Sequence, residues 1–181
     1  MNTLEPIIKQ FNYYRGLGEK AMAQVPDEAL FWQANEESNS IATLVKHLWG
    51  NMLSRWTDFL SSDGEKPWRA REAEFDNDLS TRQSMMQKWN EGWDCLLSTL
   101  TSLKEDDLDK IIYIRNQGHS VKEAIERQLA HYPYHVGQIV FIAKMHANAD
   151  WKSLSIPRGG TKDFNQQKFE QEKKRAHFTD E

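Results

Sequence analysis

Two histidines stand four residues apart, His131 and His135, in the stretch LAHYPYHVGQIV. Neutral imidazole is the commonest borderline ligand for zinc, nickel, copper and iron. On a helix, four-residue spacing puts both rings on one side, one turn apart, within reach of a single ion. A third histidine from another helix would make a three-histidine site that keeps a position open for water or substrate. An ion so held lowers the pKa of bound water or activates a thiol. His131 is followed by Tyr132 and not by glutamate, which disfavours peptidase chemistry. A bare H-x-x-x-H is a weak signal, because such pairs in arbitrary helices are more often incidental.

The other candidates read as plainer residues. His47 falls on a polar flank of its helix, near Ser40, Asn51 and Ser54, where periodicity makes it a surface histidine. His119 is a turn residue, too far along the chain from His131 to share an ion. Cys95 has no histidine or basic neighbour in sequence to lower its pKa and reads as packing. Arg115 and Arg158 could bind a carboxylate, although each reads first as solvated.

The elements that must position these residues are helices. Ser120 and Glu123 form a capping box, and Val121, Ile125, Leu129, Tyr132, Val136, Ile139, Val140 and Ala143 repeat at helical spacing after it. Pro133 lies between the two histidines, removes the bond to the Leu129 carbonyl and should bend this helix. A first helix runs through Leu4, Phe11, Leu17 and Met22, with Gly16 and Gly18 weakening it unless a neighbour packs close. A polar connection over residues 27–39, anchored by Phe31 and Trp32, leads to a second helix capped by Asn39 or Ser40. Residues 61–77 read as a long loop of the kind that often covers a site, tied down by Trp68 and Phe75. A third helix begins near Ser80 with Gln83 in a capping box; Met86, Trp89, Trp93, Leu96, Leu97 and Leu100 form its stripe. The β-branched run 110–115, followed by Asn116-Gln117-Gly118, predicts a short β-hairpin or extended segment before the fourth helix. The fold class is therefore all-α.

Composition narrows the functions. The 23 Lys and Arg against 27 Asp and Glu give no basic footprint, so nucleic acid is not an expected partner. One cysteine excludes an intrachain disulfide and fits a reducing compartment. With no leader and no apolar run of about 20 residues, the chain is expected to be soluble and cytoplasmic, without a membrane partner. Its seven tryptophans read mainly as an aromatic core.

The second-helix phrase TLVKHLWGNML, the fourth-helix phrase HYPYHVGQI and the later WKSLSIPRGGTKDFN resemble the DinB-like superfamily of four-helix-bundle metalloenzymes, in a branch related to thiol-dependent S-transferases. The likeness reaches to about Asn165, implying one domain over residues 1–165 and a charged, solvated tail over 166–181. It implies an up-down-down-up four-helix bundle, often a homodimer. It also implies that His47, His131 and His135 together bind a divalent metal, zinc or nickel. The implied function is a metal-dependent enzyme acting on a small-molecule substrate, a transferase using a low-molecular-weight thiol. A metal-dependent hydrolase and a non-catalytic metal- or ligand-binding stress protein are the alternatives.

Overall fold

Four long stretches with helical periodicity fold as helices, and their apolar faces meet in one core. The computed structural model describes residues 3–180. In chain order the elements are α1 (Leu4–Met22), α2 (Asp27–Phe31), α3 (Ile41–Trp56), α4 (Arg82–Ser102), β1 (Ile111–Ile114), β2 (Gln117–Ser120), α5 (Val121–Ala147) and α6 (Thr161–Phe169). The fold is mostly helical, with one antiparallel hairpin pairing Ile111 with Ser120 and Ile114 with Gln117. The helix α1 packs on α5 and α4, and α3 packs on α4 and α5. Among the described residues, no helix is long and apolar enough to cross a membrane.

The caps follow side-chain chemistry. Ser40 Oγ accepts from the Thr43 amide at 3.0 Å and starts α3. Ser120 and Glu123 satisfy each other's amides, at 3.1 and 2.7 Å, and start α5. The helix then runs through Pro133 without a break, so the four-residue spacing of the histidines is real. The start of α4 differs from expectation. Thr81 is its cap, accepting from the Ser84 amide at 3.1 Å, and no capping box forms. The first turn closes on the Thr81 carbonyl, so the buried stripe begins at Met85 and Met86 sits at its margin.

The core is aromatic. Trp56, Trp89, Trp93, Tyr132 and Phe11 are fully buried, with ring centroids 5.4 to 6.4 Å apart among Phe11, Trp89, Trp93 and Tyr132. Burying each such ring contributes about 2–3 kcal/mol before entropy is counted. Tyr132 is also held by polarity: its hydroxyl accepts from Trp56 Nε1 at 2.9 Å and donates to Asn51 Oδ1 at 3.0 Å. That pair of bonds to α3 sets the rotation of α5 at the residue next to His131. Phe31 packs against the core and Trp32 meets the His146 ring of α5 edge-on at 4.8 Å, beside the buried Ala29 and Leu30, whereas Trp68 is 57% exposed and is no anchor.

Gly18 is required by packing. A Cβ there would lie 2.5 Å from Cη2 of Trp89, whose indole is buried and donates to Glu19 Oε1 at 3.1 Å. Gly18→Ala is expected to cost about 1–3 kcal/mol, read as a lower midpoint in urea. Gly16, with no atom within 4 Å of such a Cβ, serves as the control.

The 61–77 loop is pinned by polar groups of α3. Ser54 Oγ donates to the Gly64 carbonyl at 2.8 Å and accepts from the Lys66 amide at 3.1 Å, and Arg55 Nη1 donates to the same carbonyl. The Gly64 amide donates to the Tyr113 carbonyl at 2.8 Å, joining the loop to β1. Asp63 clamps the hairpin turn, where Arg115 and Asn116 both have positive φ, the backbone of a two-residue hairpin turn. Its carboxylate accepts from the amides of Glu65 (2.7 Å), Arg115 (2.8 Å) and Asn116 (2.8 Å). Desolvation alone would raise this carboxyl, but the three amide bonds outweigh it and hold the pKa below the ordinary carboxylate value. A depressed carboxyl stabilises the fold above its unfolded pKa and loses that contribution as pH falls through the folded value. Asp63→Asn should therefore lower Tm by about 2–4 °C at pH 7, for a loss of about 1 kcal/mol. The deficit should shrink in acid.

After α5, residues 153–180 are mostly exposed. The charged segment begins inside α6, and Asp180 pairs with Lys9 of α1 at 2.9 Å.

Candidate metal centre

His47 lies on α3, and His131 and His135 lie one turn apart on α5, which packs against it. The three Nε2 atoms converge. His131 Nε2 is 3.4 Å from His47 Nε2 and 3.1 Å from His135 Nε2, and all three lie within 4.8 Å of one another.

The surface reading of His47 is corrected here, since it is 6% exposed. A helical wheel knows only the helix's own sequence. The flank it scores as polar is covered by the turn Glu72–Phe75, and Phe75 stacks on the His47 ring at 5.0 Å and 27°. Lys46, Asn51, Ser54 and Arg55 are buried on α3 for related reasons, each bonded to the loop or to α5.

Every imidazole is oriented from behind. Nδ1 of His47 faces Glu74 Oε2 at 2.9 Å, that of His131 faces Gln128 Oε1 at 3.0 Å, and that of His135 faces Gln138 Oε1 at 2.8 Å. These oxygens can only accept, so each Nδ1 carries the proton and each Nε2 lone pair points inward. Three lone pairs so close repel one another unless a cation lies among them. Nitrogens about 2.05 Å from one ion at tetrahedral angles are about 3.3 Å apart; the two short separations bracket that value, and the third pair lies within 4.8 Å. The residues therefore fit a divalent metal.

Protonation favours the same state. Burial, then the charges of His135, His47, Arg127 and Arg55, push His131 down to about 3. Burial lowers His135 as well, against the bond to Gln138. Both rings are thereby driven toward the neutral form, the form in which an imidazole can bind a cation.

Glu74 is the hub behind His47. Arg69 grips it with two bonds, Nε to Oε1 at 2.7 Å and Nη2 to Oε2 at 2.9 Å. Burial would raise this carboxyl, but the bonds from His47 and Arg69 and the Arg69 charge outweigh it and hold it low. Gly50 makes room for it, since a Cβ there would lie 2.4 Å from Glu74 Oε1. Glu65 Oε2 ties Arg55 (3.0 Å), Arg69 (3.2 Å) and Arg115 (3.3 Å) together at the rim.

The triad opens into a cleft of about 380 Å³, lined by the three histidines, Asn51, Gln128, Phe75 and five arginines. A larger hollow of about 660 Å³ lies between the start of α1 and the end of α4, but none of the histidines lines it. Arg115 lines the triad's cleft and Arg158 does not. Cys95 is half-buried on α4, 3.8 Å from Thr57 Oγ1, and burial raises its pKa. His119 sits on β2, outside the cluster. Sequence reasoning missed Glu74, Arg69, Gln128 and Gln138. The two glutamines were within reach of it, because each lies three residues from a histidine on the same helix. Glu74, in a loop, carries no such signal.

Residues 1–160 match the family model described as protein of unknown function (DUF1572), and the chain belongs to that family. No curated protein matches it significantly.

Proposed function

We propose that this DUF1572 chain is a divalent-metal-dependent enzyme acting on a small molecule, transferring a low-molecular-weight thiol to an electrophile through a site held by His47, His131 and His135. One observation carries this reading: three inward Nε2 lone pairs, each fixed by an acceptor on its Nδ1, at the wall of an open cleft. The resemblance to the DinB-like superfamily supports it. So do the helix pairings, since α1, α5, α3 and α4 contact in a ring, as an up-down-down-up four-helix bundle requires.

When bound, zinc or nickel would supply Lewis acidity to a thiol or water at the open side. Three uncharged ligands leave the ion's charge unneutralised, which favours loss of the thiol proton. Glu74, Gln128 and Gln138 hold the rings in the tautomer that binds. The chain offers no thiol of its own at the cleft, because Cys95 does not line it, so the thiol must come as a co-substrate. Its sulfur bonds to the electrophilic carbon, the leaving group departs with its electron pair, and the thiol proton passes to solvent.

The test is turnover of a chlorinated electrophile by metal-loaded protein with bacillithiol, mycothiol, glutathione or cysteine. Turnover that needs the thiol and disappears in His131→Ala is the expected result. Thiol-independent hydrolysis would move the reading to a hydrolase. A metal-loaded protein inert to every pairing would leave a binding protein.

A further inference from the structure

We infer that the cleft beside the three histidines is a built anion site, taking a substrate that carries a carboxylate or phosphate group held by Arg71, Arg115 and Arg127. Its role as a substrate site rests on the enzyme reading above; the anion site itself stands on the arginines. Five guanidiniums line the cleft, those of Arg55, Arg69, Arg71, Arg115 and Arg127. The carboxylates paired with this group are Glu65, Glu74 and, on the outside, Glu72. Five against three leaves two positive charges in excess before any metal is counted. The chain as a whole carries a formal charge of −4, so this positive field is local and faces a concavity, where it focuses anions.

The pairing is uneven in an informative way. Arg69 is spent on Glu74 and Glu65. Arg127 makes no hydrogen bond or ion pair among the described residues, although it is close enough to His131 to depress that imidazole's pKa. It lies one turn before His131 on α5, so Arg127, His131 and His135 succeed one another at four-residue steps along one face. Arg71 reaches over the Phe75 ring at 5.4 Å, and that ring stacks on His47. Its carboxylate neighbour Glu72, at 3.3 Å, is 94% exposed, and a pair so open to water contributes little. Arg115 shares Glu65 with two other arginines at 3.3 Å.

Deeper in the cleft, Arg55 is 7% exposed and its Nε–H has no partner among the described residues. A buried donor left unmade is costly. An anion in this cleft would answer the unbalanced charge. Planar guanidiniums match carboxylate and phosphate oxygens two at a time. Arg71 and Arg115 are 46% and 61% exposed and Arg127 is also exposed, so packing does not require them.

The experiment is calorimetric titration of inorganic phosphate and of succinate, with uncharged succinamide as the matched control. It uses zinc-loaded and metal-free full-length protein at low ionic strength, as wild type and as the double variant Arg115→Gln/Arg127→Gln. The expected result is saturable binding of at least one anion in both metal states and none of succinamide. Affinity should fall at least about ten-fold in the double variant, with metal content unchanged. Preference for phosphate would assign a phosphorylated substrate, and preference for succinate a carboxylate-bearing one. Equal affinity in wild type and double variant, or no saturable binding of either anion, overturns the inference. Anion binding by a protein that takes up no metal would instead sink the metal reading and leave the anion site standing.

Discussion

Protein purified without an affinity tag is expected to hold close to one zinc or nickel per chain, and His131→Ala should lose it. His131 is the shared vertex of the triad, with its Nε2 at 3.4 and 3.1 Å from the other two. Its removal leaves His47 and His135 on different helices without the nitrogen between them. Removing an orienting partner behind a ligand typically costs 10–100-fold in metal affinity, and removing this ligand should cost more. The variant should nevertheless fold, because His131 is only half-buried and its neighbour Tyr132 keeps its bonds to Trp56 and Asn51. Thermal denaturation separates the two effects. At metal concentrations 100-fold above Kd, binding should stabilise the wild type by about 2.7 kcal/mol, and the gain should vanish in His131→Ala. A wild type that takes up no metal after reconstitution would sink the metalloenzyme reading.

Glu74 should have the second-largest effect, and its variants separate orientation from stability. Glu74→Gln keeps the shape and an acceptor for His47 but loses the charge facing Arg69, and about 10–100-fold weaker metal binding is expected. Glu74→Ala should cost about 3–5 kcal/mol in addition, since the Arg69 side chain is 2% exposed and would lose its bidentate partner. Gly50→Ala reaches the same carboxylate from the other side. The new methyl would press on an oxygen that Arg69 and His47 prevent from swinging away. It should weaken metal binding with all three histidines intact. Unchanged affinity in Glu74→Gln, measured by competition with a chelator, would mean that His47 is oriented by packing on Phe75 and not by its carboxylate.

What could be read from the residues depended on how local the cause was. The Ser120–Glu123 cap and the pitch of α5 are decided within a few residues, so the shared face of His131 and His135 was legible in spite of Pro133. The hairpin was legible as well, because β-branched residues and turn formers act over the same short range. His47 was different. Its own helix assigns it to a polar flank, and only the family resemblance placed it with the other two. Trp68 marks the opposite error, since a large apolar side chain was expected to help tie down a loop that Ser54, Arg55 and Phe75 hold instead.

The sequence by itself determined the four long helices, a β-rich stretch before the last of them and one pair of imidazoles at ligand spacing, because hydrogen bonds four residues apart and alternating burial are local properties; the short helices α2 and α6 were read as connection and tail. The tertiary structure alone decided that Glu72–Phe75 folds back over α3. That contact buries His47, places Glu74 in the gap left by Gly50, and gathers five arginines from α3, α5, the loop and the hairpin turn around one cleft. These are long-range juxtapositions of polar groups, set by which segments bury their backbone and charges against one another. No periodicity in the chain encodes them.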